Sequence, residues 1–235
     1  MRRAVRDLAP RGTGGVTVYD DRHDAAHRLL QVLPPLEEED VVVLALPRGG
    51  VPIGAEIAES LHAPLDLILV RKVGAPRNPE LAVAAVTGPG DAGLLVNVPT
   101  ARAFGLSRSD IDALAASERT ELERRRNAYV GGRGPLPLKG RTVLVVDDGV
   151  ATGTTLRAAL TALRNRAPAR VIVAVPVASA EALETLRGLA DAIICPEPQL
   201  RFGAVGAAYR VFDQVTDEEV IHMMQEANAR GETKE

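Results

Sequence analysis

Val143-Leu144-Val145-Val146-Asp147-Asp148-Gly149-Val150-Ala151-Thr152-Gly153-Thr154-Thr155 sets four apolar residues, two acids and a small, hydroxyl-rich turn in succession. An unbroken apolar run suits a strand buried on both faces, as in parallel sheets. Such a strand, expected over Thr142 to Val146, delivers Asp147 and Asp148 at its carboxyl end, where open α/β sheets bind their ligands. Leu156, Ala159, Leu160 and Leu163 then recur at three and four residues, so the turn opens a helix. Unpaired amides and the dipole at a helix start favour an anion. Ala151, Thr152, Gly153, Thr154 and Thr155 are small enough for their backbone to close on a phosphate, and the three threonines add hydroxyl donors. Asp147 and Asp148 can accept hydrogen bonds from vicinal hydroxyls, as on a ribose. An isolated Asp-Asp pair more commonly belongs to a solvated loop or a helix cap. The strand before it and the anion turn after it give this pair a different reading, a sugar phosphate held across one turn.

Working outward, strand-length apolar runs alternate with helix-period segments, which predicts a parallel twisted sheet with helices on both faces, an α/β fold. Val41 to Leu46 reads as a buried strand. It leads through Pro47-Arg48-Gly49-Gly50 into a helix marked by Ile53, Ile57, Ala58 and Leu61. Leu65 to Val70 is a second strand, and Leu81 to Val86 a third after the turn residues Gly74 to Pro79. Between Thr87 and Gly140 the rhythm breaks into a helical insertion, with a capping box at Ser107 and Asp110 and an apolar face through Ile111, Leu114, Leu122 and Tyr129. Strand Val171 to Val175, a helix from about Ala180 to Ala190 and the run Ala192 to Ile194 complete the alternation. From Pro196 a loop-rich hood ends in a helix beginning at Thr216, where Glu219 closes a capping box. The expected organisation is one domain over 1–235, with the insertion at 87–140 and the hood and last helix at 196–235.

Composition narrows the function classes. Of 235 residues, 46% are hydrophobic and 3% aromatic, so the core is aliphatic. A net charge of -3 gives no global field for nucleic acid. The single Cys195 excludes an internal disulfide and reads as a buried small hydrophobe. His23, His27, His62 and His222 read as helix-surface residues, and no Cys/His cluster has zinc spacing. No signal-peptide pattern follows the basic Met1-Arg2-Arg3, and no apolar run reaches the roughly 18 residues of a membrane span. These features predict a cytoplasmic protein without a membrane partner. Arg124-Arg125-Arg126 follows Glu118, Glu121 and Glu123 on the insertion helix, a pattern of helix-surface ion pairs, with a nucleic-acid or diphosphate role as the alternative.

Val143 to Thr155 resembles the phosphoribosyl diphosphate (PRPP) signature of type I phosphoribosyltransferases. From about Tyr19 to Val220 the chain resembles bacterial phosphoribosyltransferase-like proteins with Leu-Pro-Arg-Gly-Gly-Val-Pro and Arg-Lys-Val-Gly-Ala-Pro loops, here Leu46 to Pro52 and Arg71 to Pro76. The resemblance implies that Asp147 and Asp148 bind the ribose hydroxyls and Ala151 to Thr155 the phosphate. It implies that Arg48, Gly49 and Gly50, with Arg71 or Lys72, face the diphosphate. Strand alternation lets only one of the last two point at the ligand, and Lys72 is preferred. The implied chemistry is Mg²⁺-dependent transfer of phosphoribosyl from PRPP to a nitrogen nucleophile, a nucleobase-like acceptor, with release of diphosphate. Mg²⁺ would be held through PRPP, with Asp147 and Asp148 as the protein groups beside it.

Purine salvage members with hypoxanthine or guanine as substrate carry a carboxylate three positions after the acidic pair, where this chain has Ala151. Glu118, Glu121 and Glu123 are the candidates to replace it. Phe202, Tyr209, Phe212, Phe104 and Tyr129 are the rings available to stack an acceptor. A non-catalytic PRPP-sensing regulator is the second reading, and a homo-oligomer is left open. The lack of a Gly-x-Ser-x-Gly elbow counts against a serine hydrolase.

Overall fold

Alternation along buried strands decides which helix each residue meets. In the computed structural model, β1 (Val41–Ala45), β2 (Leu65–Leu67), β6 (Thr142–Val146), β7 (Arg170–Ala174) and β9 (Ala192–Ile194) form one sheet in the order β2-β1-β6-β7-β9. Every pairing in it is parallel. Val41, Val43, Ala45, Leu144 and Val146 point into one core, filled from α1 (Arg22–Val32), α2 (Gly50–Ser60) and α7 (Asp217–Glu232). Val42, Leu44, Val143 and Val145 point into the other, against α5 (Thr154–Arg164) and α6 (Ala180–Leu186). Helices therefore cover both faces, as the sequence predicts. The structure describes residues 19–36, 39–88, 93–200 and 202–232. The basic Met1-Arg2-Arg3 start lies outside the described residues, as do Arg201 and the last three residues of the hood segment.

Chain direction creates the crevice. From β1 the chain crosses through α2 to β2 on one side, and from β6 through α5 to β7 on the other. Order thus reverses between the neighbours β1 and β6, and the loops leaving their carboxyl ends part there. That switch point is where ligands enter open α/β sheets.

Three stretches differ from the sequence expectation. Leu65 to Val70 is laddered as β2 only to Leu67, after which the Ile68 amide makes one more bond to the Ala45 carbonyl, 3.0 Å. Leu81 to Val86 is a strand, but not one of the parallel sheet: it ends β4 (Asn78–Val86), which pairs antiparallel with β3 (Arg71–Ala75) and β5 (Leu94–Val96). The reason is length, because Pro76 and Arg77 make a hairpin turn whereas a parallel crossover needs a dozen or more residues. Arg77 takes the left-handed conformation there, φ 66°. The helix expected over Ala180 to Ala190 stops at Leu186, with Gly188 at φ 77° just beyond.

The insertion helix, α4 (Arg108–Val130), follows the short α3 (Val98–Ala103) and packs on β3, β4 and α7. Its capping box is complete: Ser107 accepts the Asp110 amide at 3.2 Å and Asp110 accepts the Ser107 amide at 2.8 Å. Thr216 and Glu219 cap α7 in the same way, with amide bonds of 2.7 and 3.2 Å. Arg126 corrects the reading of the arginine run. Arg124 and Arg125 do pair along the helix with Glu121, but Arg126 leaves the surface for Asp66, a fully buried acid on β2, at 2.9 Å. No described helix is long and apolar enough to cross a membrane.

Candidate functional site

The acidic pair stands at the switch point. Asp147 and Asp148 leave β6 half-buried, and the Asp147 carboxylate accepts the Asp148 amide at 2.9 Å, its one hydrogen bond among the described residues. Burial, then repulsion from Asp148, pushes the Asp147 carboxyl well above the ordinary carboxylate range. Asp148 is also raised by burial, against the opposing pull of Arg22. Arg22 donates to its Oδ2 from Nε at 3.0 Å and from Nη2 at 2.8 Å. The same guanidinium lies 4.0 Å over the Phe212 ring and donates to the Asp213 carbonyl at 2.8 Å. Tyr209 closes the back of the site, its hydroxyl bonded at 2.5 Å to the Asp148 carbonyl.

Two glycines bring the first loop against these acids. A Cβ on Gly49 would lie 1.9 Å from Asp148 Oδ2, and one on Gly50 would lie 2.7 Å from the Val146 carbonyl oxygen and 2.9 Å from Asp147 Cα. Only residues without side chains allow that approach. Arg48, which precedes these glycines, lies 3.5 Å from Asp217 at the start of α7.

On the other side of the pair the turn opens a helix, as the sequence predicts. Ala151, Thr152, Thr154 and Thr155 are exposed, and α5 begins at Thr154 behind Gly153, which holds φ 73°. The amides of a first helical turn have no intrahelical partners. The strand β8 (Val177–Ser179) anchors the turn from behind, through Val150 amide to Val177 carbonyl at 2.9 Å and Ser179 Oγ to Ala151 carbonyl at 2.7 Å.

Arg71 and Lys72 part as alternate strand residues must. A cleft of about 50 Å³ is lined by Leu46, Pro47, Ile68 to Arg71, Arg125, Tyr129 and Thr155, so Arg71 shares a wall with both loops. Arg71 also pairs with Glu118 of α4 at 2.6 Å. Lys72 points to the hairpin's outer side, where it is exposed and pairs with Glu80 at 3.3 Å. The geometry thus favours Arg71 over the residue preferred from sequence. A larger cavity, about 620 Å³, opens between the C-terminal ends of α1 and α2, lined by Leu30, Leu33 to Leu36 and Ser60 to His62. It faces the amino ends of the strands, away from this chemistry.

Among the candidate bases, Glu118 is engaged by Arg71, Glu121 by Arg124 and Arg125, and Glu123 is exposed. No described contact joins any of them to the acidic pair. Tyr129 donates to Asp217 at 2.7 Å, and burial with that bond pushes its pKa up to about 12. Cys195, expected to be buried, is 8% exposed, and burial lifts its thiol to about 12, outside the range of a nucleophile at neutral pH.

Arg22 and Asp217 are site residues that sequence reasoning did not nominate, and Arg125 lines the cleft as the lesser, diphosphate reading of the arginine run would have it. Arg22 had one signal: a cation at the first position of a helix opposes the dipole, which hints at a partner elsewhere. The donor set also fits a hard cation, since two adjacent carboxylates, one with a single hydrogen bond, offer oxygens that the fold leaves poorly compensated.

Residues 75–209 match the phosphoribosyl transferase domain model. A Mycobacterium tuberculosis protein provisionally named a phosphoribosyl transferase is 41% identical over 212 residues, which make up 90% of this chain and 47% of that protein. The chain spans about half the length of the curated relatives it matches. The crystal structure of a Thermus thermophilus protein superposes with a TM-score of 0.78 at 42% identity, covering 89% of this chain and 98% of that one.

Proposed function

Since the chain belongs to the phosphoribosyl transferase domain family, we propose that its crevice binds PRPP and transfers the phosphoribosyl group to a nitrogen nucleophile, a small nucleobase-like acceptor, releasing diphosphate. One observation carries this reading. At the switch point between β1 and β6, a pair of carboxylates lies between a glycine loop that touches it and the exposed, threonine-rich start of α5.

Each group then has a task. Asp147 and Asp148 accept the ribose 2- and 3-hydroxyls. The amides and hydroxyls of Ala151 to Thr155 hold the 5-phosphate. Arg48, Arg71 and the Gly49 amide take the diphosphate beside the side-chain-free Gly50, whose own amide is held by the Leu46 carbonyl, with Arg125 completing the wall. These cations offset charge that grows on the leaving group as the anomeric carbon becomes electron-poor, so catalysis is positioning plus electrostatics. Asp147 and Asp148 are the protein groups that would stand beside a Mg²⁺ brought in with PRPP, which would supply further charge neutralisation. Ala151 offers no proton acceptor, so the acceptor must either arrive deprotonated or give its proton to another group.

Calorimetric titration of PRPP with and without Mg²⁺, followed by diphosphate detection against a panel of bases and amines, tests the proposal. Binding that requires Mg²⁺, with turnover of one acceptor, is expected. Binding without turnover across the panel supports the PRPP-sensing reading instead. Absence of binding by the wild type removes both.

A further inference from the structure

Outside the crevice, α1 and α2 hold a second cluster with ligand chemistry. His23 and His27 stand four residues apart on α1 and so share a face, with ring centroids 4.5 Å apart. Glu56 on α2 brings its Oε2 within 2.8 Å of His23 Nδ1. One nitrogen from each histidine and one Glu56 oxygen lie within 4.8 Å of one another. Tetrahedral zinc with bonds of about 2 Å separates its donors by roughly 3.4 Å.

We propose that His23, His27 and Glu56 form a Zn²⁺ site that joins α1 to α2, with a fourth position open to water. Two imidazoles and one carboxylate make a borderline donor set, which selects zinc-like transition metals over Mg²⁺, whereas the all-oxygen pair in the crevice has the opposite preference. The histidine side chain of position 23 is 65% exposed, so an ion reaches it without opening the core. The position is also consequential. His23 adjoins Arg22, which grips Asp148, and α2 begins at Gly50 of the glycine loop. An ion here fixes together the two helices whose N-terminal ends frame the crevice. The proposal stands on α1 and α2 alone and does not depend on PRPP.

Titration of ZnCl₂ into the full chain without affinity-tag histidines, in excess Mg²⁺ at neutral pH, tests it. The expected result is one site of micromolar or tighter Kd, weakened at least about tenfold by His27→Ala or Glu56→Gln and unaffected by His62→Ala. Zn²⁺ should raise the Tm of the wild type and not that of His27→Ala. The triad residues reach the surface, so the variants should match the wild-type Tm in chelator, which separates lost binding from lost folding. Weaker than millimolar binding, unchanged affinity in both triad variants, or loss caused instead by His222→Ala would overturn the site.

Discussion

Asp147 pairs ligand chemistry with a cost to the fold. Its carboxyl is raised by burial and by Asp148, so folding favours its protonated form. The sign follows: stability from this group is fullest below the ordinary carboxylate pKa of about 4 and falls as pH climbs through the raised folded value. Asp147→Asn should therefore flatten the Tm-pH curve and lift Tm by a few degrees at neutral pH, while Mg²⁺-dependent PRPP binding disappears. Scanning fluorimetry across pH checks this, and a variant with the wild-type slope refutes the electrostatic account. Gly49 gives a steric counterpart. With a Cβ 1.9 Å from Asp148 Oδ2, Gly49→Ala must push the loop off the acids. Weakened PRPP binding is expected with a stability loss of about 1–3 kcal/mol, whereas Gly203→Ala, whose added Cβ meets nothing within 4 Å, should leave Tm within a degree or two.

At the scale of elements, the packing of α4 on β3, β4 and α7 is fastened by a buried acid on β2. Asp66 is 0% exposed on β2 and receives Arg126 at 2.9 Å and the Leu136 amide at 2.9 Å. Truncating Arg126 leaves the buried Asp66 with the more distant Arg133, 3.8 Å away, as its remaining ion-pair partner. Arg126→Ala should cost about 3 kcal/mol, read by urea unfolding with an unchanged m-value. Arg126→Met with Asp66→Asn should recover part of the loss, since a neutral pair carries no orphan charge. If the single variant is as stable as wild type, the clasp does not hold α4. Since α4 brings Glu118, Arg125 and Tyr129 to the crevice, its anchoring is also a condition for the site.

Across the whole molecule, Arg22 connects parts of the chain that sequence keeps far apart. It joins the start of α1 to Asp148 after β6 and to Phe212 and Asp213 ahead of α7. Arg22→Gln should lower the ligand-free stability by about 2 kcal/mol, the scale of charge-assisted hydrogen bonds. Asp148 should titrate still higher once the opposing guanidinium is gone. Denaturant unfolding and carboxylate NMR measure the two effects, and an unmoved Asp148 titration would show that Arg22 does not act on it.

The run Val143 to Thr155 determined the parallel strand, its carboxyl-end acids and the helix start beyond, because these depend on local pattern: an unbroken apolar run, adjacent charges, small residues and a helical repeat. The capping boxes of α4 and α7 were legible for the same reason, each being complete within four residues. Pairing across long separations was decided by tertiary structure. Nothing near Leu81 says that β4 pairs with β3 and leaves the parallel sheet, since that depends on the length of a turn. Arg71 and Lys72 are equivalent as sequence until the hairpin turns one toward the cleft and the other to Glu80. Arg22 on Asp148, Arg126 on Asp66, and His23 with His27 beside Glu56 each need a partner supplied by another element, and a partner brought in by folding leaves no local pattern to read.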